Sequence, residues 1–262
     1  MDLKKAISIP LFKSAYIRNS IWAVLGSFIS KGLNFMAFAF IAKILGPKSF
    51  GEYNVIQTTI GLFGTLSGLG LGLAATKLVA ELRSKDKVKA GQMIGTLYAL
   101  SIIISFFVAI VFYFGSEWIA LFLLGNNDLV LLLQITCIIV VFDAINGVQN
   151  GVMAGFELFK GIAFINLITG LLSAPLMAIG TFYGGLNGLT VMLLFSRLLA
   201  VIITRIYLKK IFTEYELVID TKIDKERLKP IFGISIPSFL SSMSTSPVNW
   251  ISTFIFVNRP NG

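Results

Sequence analysis

The sequence predicts an all-α, polytopic membrane protein with about seven transmembrane helices. Two observations predict it: the composition and the length of the apolar runs. Hydrophobic residues make up 56% of the 262 and charged residues only 13%, where a soluble domain carries about a quarter charged. Crossing about 30 Å of hydrocarbon at 1.5 Å per residue takes roughly 20 mainly apolar residues. Runs of that kind occupy about 20–44, 54–80, 91–114, 129–153, 161–183, 186–208 and 231–257. Several functions are excluded early. With no histidine and one cysteine, Cys137, inside an apolar run, imidazole metal sites, histidine-based catalysis and an intrachain disulfide are all out of reach. No cofactor is expected.

Each element has local reasons. The first run ends at ILGPKSFGEYNVIQ (44–57), where Gly46 permits a left-handed cap and Pro47 disfavours helix in the residue before it. Phe50 and Tyr53 read as aromatics at headgroup level. The second run carries GLGLG (68–72), which lacks the strand and lysine spacing of a phosphate loop and reads as close helix packing. After the third run, SEWIALFLLGNN (116–127) is too short to cross and reads as an interfacial turn of helix. Pro175 and Pro237 are placed to kink the fifth and seventh helices. The segment 209–230 mixes acids with bases and reads as a solvated linker.

The net charge of +9 would suggest nucleic acid in a soluble chain, but the basic residues fall in alternate loops, so no nucleic-acid partner is expected. The N-terminal segment has Lys4, Lys5, Lys13 and Arg18; the second loop Arg83, Lys85, Lys87 and Lys89; the fourth Lys160; the sixth Lys209, Lys210, Lys222, Lys225, Arg227 and Lys229. The intervening loops are nearly bare. Positive loops stay cytoplasmic, so the N-terminus is expected there, in a multi-pass protein of the cell membrane without a cleaved signal peptide.

An ionisable residue within the hydrocarbon costs about 2.5–3.5 kcal/mol on insertion scales and calls for a reason. Lys31 lies near the middle of the first helix with Asn34 one turn on, and Arg197 near the middle of the sixth. Asp143, Asn146 and Asn150 form one polar stripe on the fourth, with Gln149 beside it; Gln57 lies on the second, and Gln134, Asn166 and Arg205 add scattered polarity. Two readings stand. Lys31 and Arg197 face one central aqueous cavity with the amides, or one of them pairs with Asp143 or snorkels while the amides bond between helices. Lys77 and Arg205, near the basic-loop ends, read as snorkelling.

AKILGPKSFGEYNV (42–55), GLGLGLAATKLVAEL (68–82) and NGVMAGFELFKGIAFIN (150–166) resemble the polysaccharide-biosynthesis, O-antigen type flippases of the multidrug/oligosaccharidyl-lipid/polysaccharide exporter superfamily. The resemblance implies a two-lobe flippase fold in which one lobe rocks against the other. The chain then divides into a cytoplasmic segment 1–19, a six-helix lobe 20–208, a cytoplasmic connector 209–230, and the first helix of a truncated second lobe, 231–262. A chain complete at this length would call for self-association. The implied function is movement of a lipid-linked oligosaccharide, of the polyprenyl-pyrophosphate type, across the membrane for cell-surface polysaccharide synthesis, with membrane lipids as the other partner. The cavity candidates are Lys31, Asn34, Gln57, Asp143, Asn146, Asn150 and Arg197. Two alternatives remain: a cation-coupled drug or ion antiporter of the same superfamily with Asp143 as its ion site, and an inactive or scaffolding membrane fragment. No enzyme is expected, since no nucleophile, base and orienting group can be assembled.

Overall fold

The computed structural model describes the backbone of residues 15–123 and 126–257, and the side chains of 32, 35–121 and 126–255. All regular structure among the described residues is helical: α1 (Ala15–Gly68), α2 (Leu71–Leu82), α3 (Lys87–Trp118), α4 (Leu129–Gly155), α5 (Phe159–Glu214), α6 (Lys225–Met243) and α7 (Ser246–Val257). Two of these are hairpins. Gly46, at φ +71°, breaks α1 just before Pro47, and the arms fold back so that Phe38 meets Phe50 edge-on with centroids 4.7 Å apart. Gly185, at φ +55°, does the same for α5. There the arms are so close that a Cβ on Gly180 would sit 2.5 Å from the Gly188 carbonyl oxygen. Through Pro175 and Pro237 the backbone dihedrals stay helical, so glycine, not proline, makes the breaks.

Three described helices, Lys87–Leu121, Leu129–Gly155 and Phe159–Glu214, are long and apolar enough to cross a membrane. A fourth is added if Phe35–Gly68 and Leu71–Leu82, bent by 45° at Leu69 and Gly70, count as one span. The expected count of seven is not reached by this measure. Part of the difference is α5, which reverses at Gly185. Another part is the last run, expected as one helix. It forms α6, whose first turns carry Lys225, Glu226, Arg227 and Lys229, and the 12-residue α7.

The segment 116–127 also differs from expectation. α3 runs on to Trp118 and closes in a π turn, Ile119–Leu123, instead of starting a separate interfacial helix. The described part of the connector is likewise not simply solvated. Residues 217–224 lie extended over α3, where Gly91 and Gly95 leave room for the carbonyls of Val218 and Asp220. Thr96 donates to the Lys222 carbonyl at 2.8 Å, and Arg227 donates to the Asp220 carboxylate at 2.8 Å and to the Lys222 carbonyl at 3.2 Å.

Packing between spans follows small residues, because lipid tails are as apolar as leucine and only close contact favours association. A Cβ on Gly72 would lie 2.9 Å from the Gly147 carbonyl oxygen, and one on Gly151 would strike the carbonyl of Gly72. Within the run 68–72, Gly72 thus serves helix packing as expected, whereas Gly70, at φ +69°, makes the break between α1 and α2 and a Cβ on Gly68 would meet nothing within 4 Å. Two buried clusters result. One gathers Leu71, Leu78, Ile94, Leu97, Val152, Met153 and Leu208 toward the basic loops; the other gathers Ile56, Phe112, Leu132, Leu133, Val140 and Leu193 toward the opposite end. On α4 they are separated by Asp143–Asn146. Large apolar side chains such as Phe107 (67% exposed) and Phe114 (78%) cover the outside, as a lipid-facing surface requires.

Candidate functional site

Between these clusters the helices leave a cavity of about 330 Å³. Both arms of α1 contribute, through Phe38, Ile41, Tyr53 and Gln57; α4 contributes Asn146; and both arms of α5 contribute Asn166, Thr169, Ser173, Ser196 and Arg197. The two glycine breaks place it, since each folds a long helix into two antiparallel walls. Gln57 donates from Nε2 to the Tyr53 hydroxyl at 2.5 Å. Thr169 and Ser196 donate to the carbonyls of Ile165 and Leu193, both at 2.8 Å. Their oxygens can still accept from a guest.

Among the described residues, Arg197 is the one charged residue in the lining. Its Nε lies 3.4 Å from Asp143 Oδ1, close enough for an ion pair but not aligned as a hydrogen bond. No described residue hydrogen-bonds to its two Nη groups. A guanidinium tethered along one edge keeps a two-pronged donor face for a carboxylate or phosphate. Its side chain is 42% exposed against 26% for Asp143, so the arginine is the more open partner.

The sequence candidates are only partly brought together. Gln57, Asn146 and Arg197 line the cavity. Asp143 stands behind, paired with Arg197, and Asn150 donates to Asn146 Oδ1 at 2.7 Å without lining it. The side chains of Lys31 and Asn34 lie outside the described residues. Arg205 covers the ring of Tyr98 at 5.2 Å, and Gln149 is buried, donating to the Val201 carbonyl at 3.2 Å.

Tyr53, expected at headgroup level, is instead 3% exposed and turned into the lobe. Its hydroxyl finds Gln57 there, one helical turn away. Thr169, Ser173 and Ser196 were missed as well. For the first two a signal existed: with Asn166 they repeat at i, i+3 and i+7, the spacing that singled out the stripe on α4. Ser196 carries no such signal. No cluster of three metal-ligating side chains occurs among the described residues.

A polar cavity inside an apolar lobe, with one cationic fork, accords with a comparison to known families. The family model for polysaccharide biosynthesis protein matches residues 16–259. The chain belongs to that family. Among its relatives is the lipid III flippase of Escherichia coli (strain K12), 26% identical over 175 residues, which are 65% of this chain and 42% of the flippase. Another is stage V sporulation protein B of Bacillus subtilis (strain 168), 23% identical over 171 residues, 64% of this chain and 33% of that protein. The chain thus spans less than half the length of these family relatives. A solved MOP superfamily transporter from Pyrococcus furiosus superposes with a TM-score of 0.71 at 20% identity, covering 88% of this chain and 52% of the transporter. The family member therefore has the fold of about half such a transporter, and it is a multi-pass membrane protein.

Proposed function

We propose that the chain forms the first lobe of a flippase that moves a lipid-linked oligosaccharide, of the polyprenyl-pyrophosphate type, across the cell membrane for surface polysaccharide synthesis. The observation that carries this reading is the Arg197 fork, which opens into a cavity whose other polar lining is amides and hydroxyls, set among apolar side chains such as Phe38, Ile41 and Leu193. The fork suits a pyrophosphate, and Gln57, Asn146 and Asn166 suit sugar hydroxyls. Asp143 positions Arg197 from behind. Lys31 joins the proposal from its place on α1, and Asn34 and Asn150 as neighbours of the site.

The name of the lipid III flippase supports the cargo class, and the basic loops support a cytoplasmic N-terminus. Residues 20–208 would make the lobe, 209–230 the link and 231–262 the start of a second lobe, with alternating access between the two. The protein would act as a carrier and not as an enzyme.

The test is binding of a polyprenyl pyrophosphate to the purified native protein. Losing a charge-assisted, two-pronged contact of about 1.5–3 kcal/mol should weaken binding by roughly 10- to 150-fold in Arg197→Ala. Arg197→Lys should recover only part of it, because lysine is a point charge. Unchanged affinity in both variants would sink the proposed site. Sodium- or proton-linked binding lost in Asp143→Asn would favour the antiporter reading.

A further inference from the structure

Two clefts on the side of the lobe away from the basic loops meet at Gln134. The first is an apolar groove of about 490 Å³ between α3 and the start of α4, lined by Phe106, Ile110, Phe114, Cys137 and Ile138. It lies on the outward, lipid-facing surface, where Phe106 is 60% and Ile138 50% exposed. The second is a polar cleft of about 670 Å³, where the hairpin after Gly46, the turn before α4 and the turn at Gly185 converge. Ser49, Glu52, Asn127, Asp128 and Asn187 line it, with Lys48 as the one cation among the described residues.

Gln134 lines both clefts. It is half-buried, and its amide makes no hydrogen bond to any described residue. Its amide stands at the junction with donors and an acceptor open to a hydrogen-bonding guest in the polar cleft. We propose that the two clefts form one amphipathic site for a lipid with a neutral, hydroxyl-rich headgroup. The hydrocarbon chain lies in the groove, the head in the polar cleft, and Gln134 bonds the polar atoms where they join. Glu52 and Asp128 outnumber Lys48, so the cleft accepts hydrogen bonds from hydroxyls and repels a phosphate. Asn126 holds Glu52 in place, donating to its carboxylate at 2.9 Å. This site is separate from the Arg197 cavity in both position and charge, and it stands whether or not that cavity carries cargo.

The experiment is native mass spectrometry of the whole chain in detergent with two added probes of equal acyl chains, a diglucosyl diacylglycerol and phosphatidylglycerol. Wild type should retain the glucosyl lipid about tenfold better, the advantage of roughly one well-made hydrogen bond to a charged group. Ile138→Trp, which fills the groove from its exposed side, should lower retention of both probes. Gln134→Leu, which removes the free amide without opening the core, should lower the glucosyl lipid alone. Asp128→Lys should reverse the preference, and Ile179→Trp on another exposed face should change nothing. Equal retention of both probes by wild type would mean annular lipid only and would overturn the proposal. So would preference unmoved by Gln134→Leu and Asp128→Lys together.

Discussion

Replacing Gly95 by alanine tests how the connector is held. The added Cβ would lie 2.5 Å from the carbonyl carbon of Asp220 and 3.0 Å from its nitrogen, and closer still to its oxygen. Ordinary contact begins about 1 Å farther out, so the segment 217–224 must lift off α3 by about that much. The Thr96 bond to the Lys222 carbonyl, 2.8 Å long, would then stretch beyond hydrogen-bonding range. Overpacking costs about 1–3 kcal/mol and the lost bond about 1 kcal/mol, against about 1 kcal/mol gained by exchanging a helical glycine for alanine. The net loss is about 1–3 kcal/mol. Gly115→Ala supplies the control on the same helix, because a Cβ there has nothing within 4 Å, and it should be neutral or slightly stabilising. Apparent melting in detergent should drop by several degrees in Gly95→Ala relative to that control. Hydrogen exchange at 217–224 and trypsin cleavage after Lys222 should rise with it. If the two variants melt alike and the connector stays equally protected, the close seating of this segment on α3 is refuted.

The remaining predictions concern other close contacts and one titration. Gly151→Leu should cost more than about 3 kcal/mol and lower the yield of folded protein, since its side chain would strike the backbone of Gly72; normal melting would contradict the small-residue seam. Gln149→Leu should be nearly neutral in melting temperature, because the loss of one bond to Val201 is offset by removing a buried oxygen without a partner. A drop comparable to that of Gly151→Leu would show that oxygen to be engaged. The Asp220 carboxyl is held below the usual carboxylate range, first by the Arg227 hydrogen bond and then by the backbone N–H of Lys222. A carboxyl lowered on folding stabilises fully above its unfolded value near pH 4 and loses that contribution as pH falls through the lower folded value. Connector protection should therefore fall with acid in that window, and Arg227→Met should shrink the step, leaving the part held by the Lys222 N–H; an acid step unchanged in Arg227→Met would refute the clamp.

Much of the membrane architecture and part of the site were legible without coordinates. Apolar runs of about 20 residues can satisfy their backbone in lipid only as helices, so composition and length decided the fold class. Alternate basic loops decided which ends lie together. Gly46 followed by Pro47 marked a reversal, and the lone charges Asp143 and Arg197 marked a polar interior because insertion is costly. Their mutual pairing was one of two readings left open, and only the crossing of α4 with the second arm of α5 brings Asp143 within 3.4 Å of Arg197.

Other features depend on neighbours distant in sequence. Tyr53 looked like a headgroup anchor because its aromatic character and its place near a loop are local properties. Its burial comes from the fold-back of α1 and the approach of α5. The seating of 217–224 on Gly91 and Gly95 was equally hidden, since nothing in a mixed-charge segment names the helix it will cross. The sequence by itself determined that this chain is a bundle of membrane helices with a few charges within its apolar runs, because hydrophobicity and helix periodicity act within a single segment. Tertiary structure decided which polar groups share a cavity and which are consumed by packing, because that depends on the faces that glycine contacts bring together.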